Sequence, residues 1–254
     1  AANGAVPEEV FPFSSDEYKT VRHQKAIKKI KNYLDTLLAH QPVASDWQKG
    51  YEAYLDKIIG PAPQQFTYNG RNYTPKTYAS EVLKFNADDY VNITSFTHHP
   101  YYSSFVLEVP DNFSNGAYYN IPLNEMTELV KTALKNGFTV LWDADVSNEG
   151  FMQQQGLALQ VAQAPTDAKA DMPEDKWDAK KRQELFENLT TQDDHLMHIT
   201  GMIKSKGGKT FFVVKNSWGD VGPLNGYINV SESYFSINTV SLVVPKAAVS
   251  KALL

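Results

Sequence analysis

Two short segments in the last third of the chain carry residue types that can take part in nucleophilic catalysis. The first contains Asp194, His195 and His198, and the second is Asn-Ser-Trp-Gly, which begins at Asn216 and includes Trp218. An imidazole can take or give a proton for a nucleophile, provided that a third group fixes the orientation of its ring. A neutral asparagine does so without drawing off the positive charge of the ring, which suits an ion pair with a thiolate. We therefore expect one of these imidazoles to be hydrogen-bonded to Asn216.

Both segments lie on predicted strands. Residues 195–203 and 210–215 are rich in β-branched and aromatic residues, and Gly207-Gly208 joins them as a hairpin. His195 and His198 are three residues apart on the first strand, so their side chains point to opposite faces of the sheet. Only one of them can face Asn216, and strand geometry alone leaves open which one it is.

The two segments together resemble part of a known enzyme family. Asp194-His195 at the start of one strand, with Lys215 to Gly219 closing the next, is similar to the His and Asn portion of the papain-like cysteine peptidases. Gly226-Tyr227-Ile228 follows where that pattern has it. Similarity to the bleomycin hydrolase and aminopeptidase C branch extends further along the chain, at residues 6–10, 61–68, 135–137, 143–146 and 243–245.

This resemblance implies a papain-like cysteine peptidase fold and hydrolysis of peptide bonds, of the aminopeptidase or dipeptidyl-peptidase type. It places the catalytic imidazole at His195, with Asn216 as its orienting partner and His198 as a packed or partly exposed neighbour. Asp194 and Trp218 are expected at the substrate site. Trp218 should also shield the bond between His195 and Asn216 from water, which would strengthen that bond by lowering the local dielectric.

The rest of the chain predicts an α+β protein, with a helical part followed by an antiparallel, β-barrel-like domain. Apolar residues at helical spacing between residues 14 and 60 predict two helices, and a third helix is predicted at 123–136. From residue 90 the period shortens toward two, which predicts a succession of strands. We therefore expect a mainly helical segment at 1–89 and a domain at 90–254 that carries the His and the Asn.

The sequence contains no cysteine, so the thiol that His195 would activate is absent from these residues. The family's catalytic helix, with its Cys, has no counterpart here. The chain also begins at Ala1 without a methionine, and we expect a processed piece whose Cys-bearing N-terminal chain remains associated with it. Two alternatives are an incomplete fragment of the same enzyme and an inactive homologue that binds peptides or proteins.

Composition limits the other classes of function. The formal net charge is −5, which does not favour nucleic-acid binding, and no apolar run is long enough for a membrane span. We expect no cofactor and no metal. His195 and His198 point to opposite faces of a strand, and we expect the same of His98 and His99, which also precede a proline where a loop is predicted. Peptide substrates and a homo-oligomer are the other expected partners. The compartment is open between an extracytoplasmic location in a bacterium, which we favour, and the cytoplasm.

Overall fold

A computed structural model describes residues 3–11, 22–250 and 253, with side chains in the first helix from residue 25 onward. The part of the predicted helical region at 14–21 lies outside the described residues. The chain divides into two compact units, Ala1–Ala87 and Asp88–Leu254. None of the described helices is both long and apolar enough to cross a membrane.

The described residues of the first unit form three helices and one hairpin. The helices are α1 (Arg22–Ala39), α2 (Trp47–Ile59) and the short α3 (Pro75–Thr77), which continues into a π-helical turn at Tyr78–Val82; the strands are β1 (Phe66–Tyr68) and β2 (Arg71–Tyr73). The rings of Tyr33 in α1 and Tyr54 in α2 stack with centroids 4.5 Å apart. The predicted pair of amphipathic helices is therefore present over the described part of this region.

The second unit is built on a ten-stranded sheet. Its strands are β3 (Tyr90–Thr94), β4 (Ser103–Val106), β5 (Ala117–Asn120), β6 (Val140–Ala144), β7 (Phe151–Met152), β8 (Leu157–Ala158), β9 (His195–Lys204), β10 (Thr210–Lys215), β11 (Tyr227–Ser231) and β12 (Thr239–Pro245). Its helices are α4 (Leu123–Lys135), α5 (Ala179–Glu187) and α6 (Glu232–Asn238). The strands lie in the order β4-β5-β3-β12-β6-β9-β10-β11-β8-β7.

The predicted α+β class is confirmed, but the sheet differs from the predicted antiparallel barrel. Strand β5 pairs parallel to β3, and β8 pairs parallel to β11, so the sheet is mixed. Among the described residues it is also open, with β4 and β7 as its two edges. The strands that introduce the parallel pairings are short, four residues in β5 and two in β8. Such short segments carry too little alternation for the sequence to reveal their direction.

The core of the second unit lies between α4, α6 and the middle of the sheet. Helix α4 buries a stripe that includes Met126, Val130 and Ala133, whose spacing places them on one helix face. On the sheet side, Trp142 packs against Phe235 of α6 with ring centroids 5.8 Å apart. The Trp142 indole donates a hydrogen bond of 2.8 Å to the hydroxyl of Thr239, so its one polar atom is satisfied inside the core.

One carboxyl group is buried in this sheet. Asp143 in β6 is only 7% exposed, and the Ser241 hydroxyl of β12 donates a hydrogen bond of 3.2 Å to its Oδ2. Burial raises the pKa of Asp143 to about 8, and the negative charge of Asp193 is the second largest cause of this rise. The folded protein therefore holds a proton on Asp143 at neutral pH, whereas the unfolded chain does not.

We expect Asp143→Asn to change how stability depends on pH. A folded-state pKa above the unfolded value of roughly 3.9 gives stability that is lost as pH rises through the folded pKa. Asparagine does not titrate, so the variant does not lose stability in this way. The difference in Tm between variant and parent should therefore increase in favour of the variant by about 2 °C or more from pH 5 to pH 8. Asp220→Asn removes a carboxylate from an exposed position and serves as the control. The same pH dependence in both variants would contradict a proton held at Asp143.

Candidate active site

The structure brings His195 and Asn216 together. Nε2 of His195 lies 2.7 Å from Oδ1 of Asn216, and Asn216 is only 5% exposed. Because an amide oxygen only accepts, Nε2 carries the proton and donates it. The same oxygen also accepts a 2.7 Å hydrogen bond from the backbone N–H of Ser217. Among the described residues, Nδ1 of His195 has no hydrogen-bond partner, so this nitrogen is left for a reacting group.

Gln153 fixes which way the Asn216 amide points. Nδ2 of Asn216 donates to Oε1 of Gln153 at 3.1 Å, and Nε2 of Gln153 donates to the backbone carbonyls of Val221 and Tyr227 at 3.3 and 3.2 Å. Carbonyls can only accept, so they set the orientation of Gln153, which in turn sets that of Asn216. Sequence reasoning missed Gln153, because it stands in a glutamine-rich polar stretch without a clear apolar period.

A β-bulge decides which histidine meets Asn216. Strands β9 and β10 pair Val213 with Gly201, but the next pair is Val214 with Ile199, so Thr200 is an extra residue in β9. Its hydroxyl donates a 3.2 Å hydrogen bond to the carbonyl of Val213.

The bulge shifts the pairing of β9 with β10 on the side of His195 and Asn216. Lys215 pairs with His198, which carries Asn216 opposite Met197 and onto the same face as His195. Without the extra residue, the register would place Asn216 opposite His198. The bulge therefore selects His195 as the partner of Asn216.

His198 lies on the other face of β9, where its side chain is in contact with solvent but is also partly covered. Partial burial lowers the pKa of His198, and the charge of Lys215 lowers it further. This placement agrees with the interpretation of His198 as a neighbour that takes no part in the pair.

The two residues predicted at the substrate site are placed differently from each other. The Trp218 ring lies beside that of His195, with centroids 4.9 Å apart, and Phe151 packs edge-on against it at 5.8 Å. Trp218 is 47% exposed, so it covers one side of the imidazole while presenting an apolar surface to solvent. Asp194 instead accepts hydrogen bonds from the backbone N–H groups of Val146 and Ser147, at 3.1 and 3.2 Å. Contact of either residue with substrate stays a prediction.

Carboxylates anchor the loop that leads into β9. Asp145 accepts a hydrogen bond of 3.1 Å from the backbone N–H of Gln192, and Asp193 accepts one of 3.0 Å from the backbone N–H of Asp111. With Asp194, three successive positions before His195 are thus tied to neighbouring segments. Hydrogen bonds to an ionised carboxylate are stronger than those between neutral groups, so this loop holds the start of β9 in place.

The model of the Peptidase C1-like family matches residues 4–254. The chain belongs to this family. Its relatives include aminopeptidase C of Streptococcus thermophilus, which is 26% identical over 96% of this chain and 59% of its own length. Bleomycin hydrolase of Gallus gallus is 22% identical over 99% of this chain and 61% of its own length. The resemblance to the aminopeptidase C and bleomycin hydrolase branch of the papain-like peptidases is confirmed, and the chain spans about three fifths of the length of these relatives.

Comparison with solved structures supports the same fold for this chain. The crystal structure of PepW from Lactobacillus rhamnosis superposes with a TM-score of 0.71 at 21% sequence identity. The match covers 99% of this chain and 61% of PepW. Together with the family match, it confirms the predicted papain-like α+β fold.

We expect Gln153→Ala to destabilise the protein. The change removes a hydrogen bond from the buried Nδ2 of Asn216 and from the backbone carbonyl of Tyr227, whereas the carbonyl of Val221 keeps the bond of 3.0 Å from the N–H of Gly226. Each buried group left unsatisfied costs about 1–3 kcal/mol. Urea unfolding measures the loss as a lower unfolding free energy. Gln154→Ala is a matched control, since Gln154 is the exposed neighbour, and it should change stability by no more than about 0.5 kcal/mol. Equal losses of stability for the two substitutions would contradict the conclusion that Gln153 anchors Asn216.

Proposed function

We propose that this chain supplies the histidine and asparagine of a cysteine peptidase of the aminopeptidase or dipeptidyl-peptidase type. The observation that carries the proposal is the 2.7 Å bond from Nε2 of His195 to Asn216, which leaves Nδ1 without a partner among the described residues. Membership of the Peptidase C1-like family supports it, as do relatives that bear the names aminopeptidase C and bleomycin hydrolase.

In the proposed reaction, His195 acts on a thiol that approaches its Nδ1. The imidazole takes the thiol proton, and the imidazolium stabilises the thiolate that results. The thiolate attacks the carbonyl carbon of the peptide bond, and His195 gives its proton to the amine as the C–N bond breaks. A water molecule then loses a proton to His195 and attacks the acyl-enzyme, which releases the acid and restores the thiol. Asn216 keeps Nε2 protonated and the ring oriented through both steps.

The thiol has to come from outside these 254 residues, since they contain no cysteine. We propose that it lies on a separate, proteolytically released N-terminal chain of the same precursor. A second candidate follows from the same observation. A family member without a nucleophile would be a peptide- or protein-binding subunit, in which Asn216 and His195 would have only a structural role. A homo-oligomer also stays a prediction.

Intact-mass analysis of the native preparation tests the source of the thiol. We expect a second, cysteine-containing chain to accompany this one, and separation of the two to abolish hydrolysis. This chain alone should not react with a thiol-directed peptide probe. A single longer polypeptide carrying both the cysteine and these residues would contradict the two-chain arrangement while preserving the peptidase. A native preparation without any cysteine-containing chain and without hydrolysis would favour the binding subunit.

Substitutions in the active assembly test the role of each residue. We expect His195→Ala to lower kcat by about 10²–10⁴-fold, because it removes the general acid and base. Asn216→Ala should lower kcat less, since it degrades the orientation of a base that is still present. His198→Ala is the matched control, and it should leave turnover of peptides with free N-termini close to that of the parent. Equal losses for His195→Ala and His198→Ala would overturn the assignment of His195 as the catalytic base. Hydrolysis of peptides with blocked N-termini would show endopeptidase action.

A further inference from the structure

Two adjacent histidines and a glutamate converge outside the pair formed by His195 and Asn216. His98 and His99 lie in the loop between β3 and β4, and Glu108 lies just after β4. Nε2 of His98 is 3.6 Å from Oε2 of Glu108, and Nε2 of His99 is 3.8 Å from its Oε1. One ligand atom from each of the three residues lies within 4.8 Å of both others. The two imidazoles thus face the two oxygens of one carboxylate.

The sequence argument against metal binding by these two histidines does not hold for this loop. Neighbouring residues point to opposite faces only on a strand, and residues 95–102 are not on one. The backbone has Tyr102 in the left-handed region at φ 58° before it enters β4. Both rings face the carboxylate of Glu108, and their centroids lie 4.5 Å apart.

The spacing of the three side chains suits a metal ion better than a direct hydrogen bond. Zinc binds imidazole nitrogen and carboxylate oxygen at about 2.0–2.2 Å, so two ligands at the corners of a tetrahedron are about 3.3 Å apart. The observed 3.6 and 3.8 Å are too long for a hydrogen bond and exceed the zinc value by only a few tenths of an ångström. Rotation of the exposed Glu108 side chain can shorten both distances.

Both rings are held in place by their surroundings. The His99 ring stacks on Phe105 with centroids 4.2 Å apart, and the His98 ring lies 5.3 Å from Phe105 and 5.8 Å from Phe186. Packing of this kind lowers the entropy that the rings lose when they bind an ion. Two of the three ligands are thus oriented before any ion arrives.

Gln183 of α5 provides an outer partner for His98. Its side-chain oxygen lies 3.4 Å from Nδ1 of His98, and its side-chain nitrogen lies 3.0 Å from the same atom. When Nε2 of a histidine binds a metal, the proton sits on Nδ1 and needs an acceptor, which the Gln183 oxygen can provide. When no metal is bound and Nε2 is protonated, the Gln183 nitrogen can donate to Nδ1 instead.

We propose that His98, His99 and Glu108 bind a divalent transition-metal ion, with zinc as the ion that this ligand set fits best. Two neutral imidazoles and a carboxylate are typical ligands of zinc, whereas magnesium and calcium prefer sites built from oxygen alone. The side chain of Glu108 is 63% exposed, so water can occupy the fourth position. The ion would link the loop after β3 to the segment that follows β4. This site is independent of the proposed peptidase reaction.

Equilibrium dialysis of the purified protein against zinc chloride tests the site without any activity assay. We expect one zinc ion per chain, no measurable competition from magnesium or calcium, and an increase in Tm on adding zinc. Cobalt(II) should bind in place of zinc and give the strong visible absorption of tetrahedral coordination. His99→Ala and Glu108→Gln should each weaken zinc binding by about 10-fold or more, and Gln183→Ala by about 10-fold.

His40→Ala is the matched control, because His40 is an exposed histidine of the other compact unit. It should bind zinc as the parent does. Circular dichroism checks that each variant folds, and Glu108→Gln keeps the test decisive if a histidine variant does not, since Glu108 is exposed and its replacement has the same shape. No zinc bound by the parent, or equal zinc bound by the parent, His99→Ala and Glu108→Gln, would overturn the proposal.

Discussion

The candidate site depends on a single direction of hydrogen bonding that begins at two backbone carbonyls. The backbone carbonyls of Val221 and Tyr227 can only accept, so the Gln153 side-chain nitrogen must face them and its oxygen must face Asn216. The oxygen of Asn216 then faces His195 and accepts the proton of Nε2. Reversing either amide would place donor against donor or acceptor against acceptor, and would leave buried groups unpaired. The backbone thereby determines which nitrogen of the imidazole is available to a nucleophile.

The register between β9 and β10 has an equally large effect on the site, because one extra residue in β9 decides which histidine faces Asn216. The β-bulge at Thr200 moves Asn216 from the register position opposite His198 to the one opposite Met197, on the face that His195 shares. The two histidines on this strand are then distinguished by a feature two residues after His198 and five after His195, and not by their own chemistry. A shift of one residue in a strand exchanges its two faces, so removing the bulge would exchange the two imidazoles.

The sequence predicted the parts of this fold that carry strong periods. Helix α4 and strands β9 and β10 lie close to their predicted bounds, because each combines a regular apolar pattern with clear ends. Strands β5, β7 and β8 are too short to show alternation, and with them the parallel pairings were missed. The pairing of His195 with Asn216 came from the motif, whereas the bulge and the role of Gln153 depend on contacts between distant segments. Neither leaves a local trace in residue type.

The proposed division of the peptidase site between this chain and a thiol from elsewhere places a physical demand on the half described here. A catalytic base that must meet a nucleophile on another segment works best when its ring is already fixed in position. If the ring became ordered only when the nucleophile arrived, the entropy lost would reduce the binding energy available for catalysis. His195 meets this demand within the second unit alone. Asp193 and Asp194 anchor the loop before it, Asn216 holds its ring, and Trp218 packs beside it. The incoming thiol would then have to satisfy one distance, to Nδ1, in order to complete the ion pair.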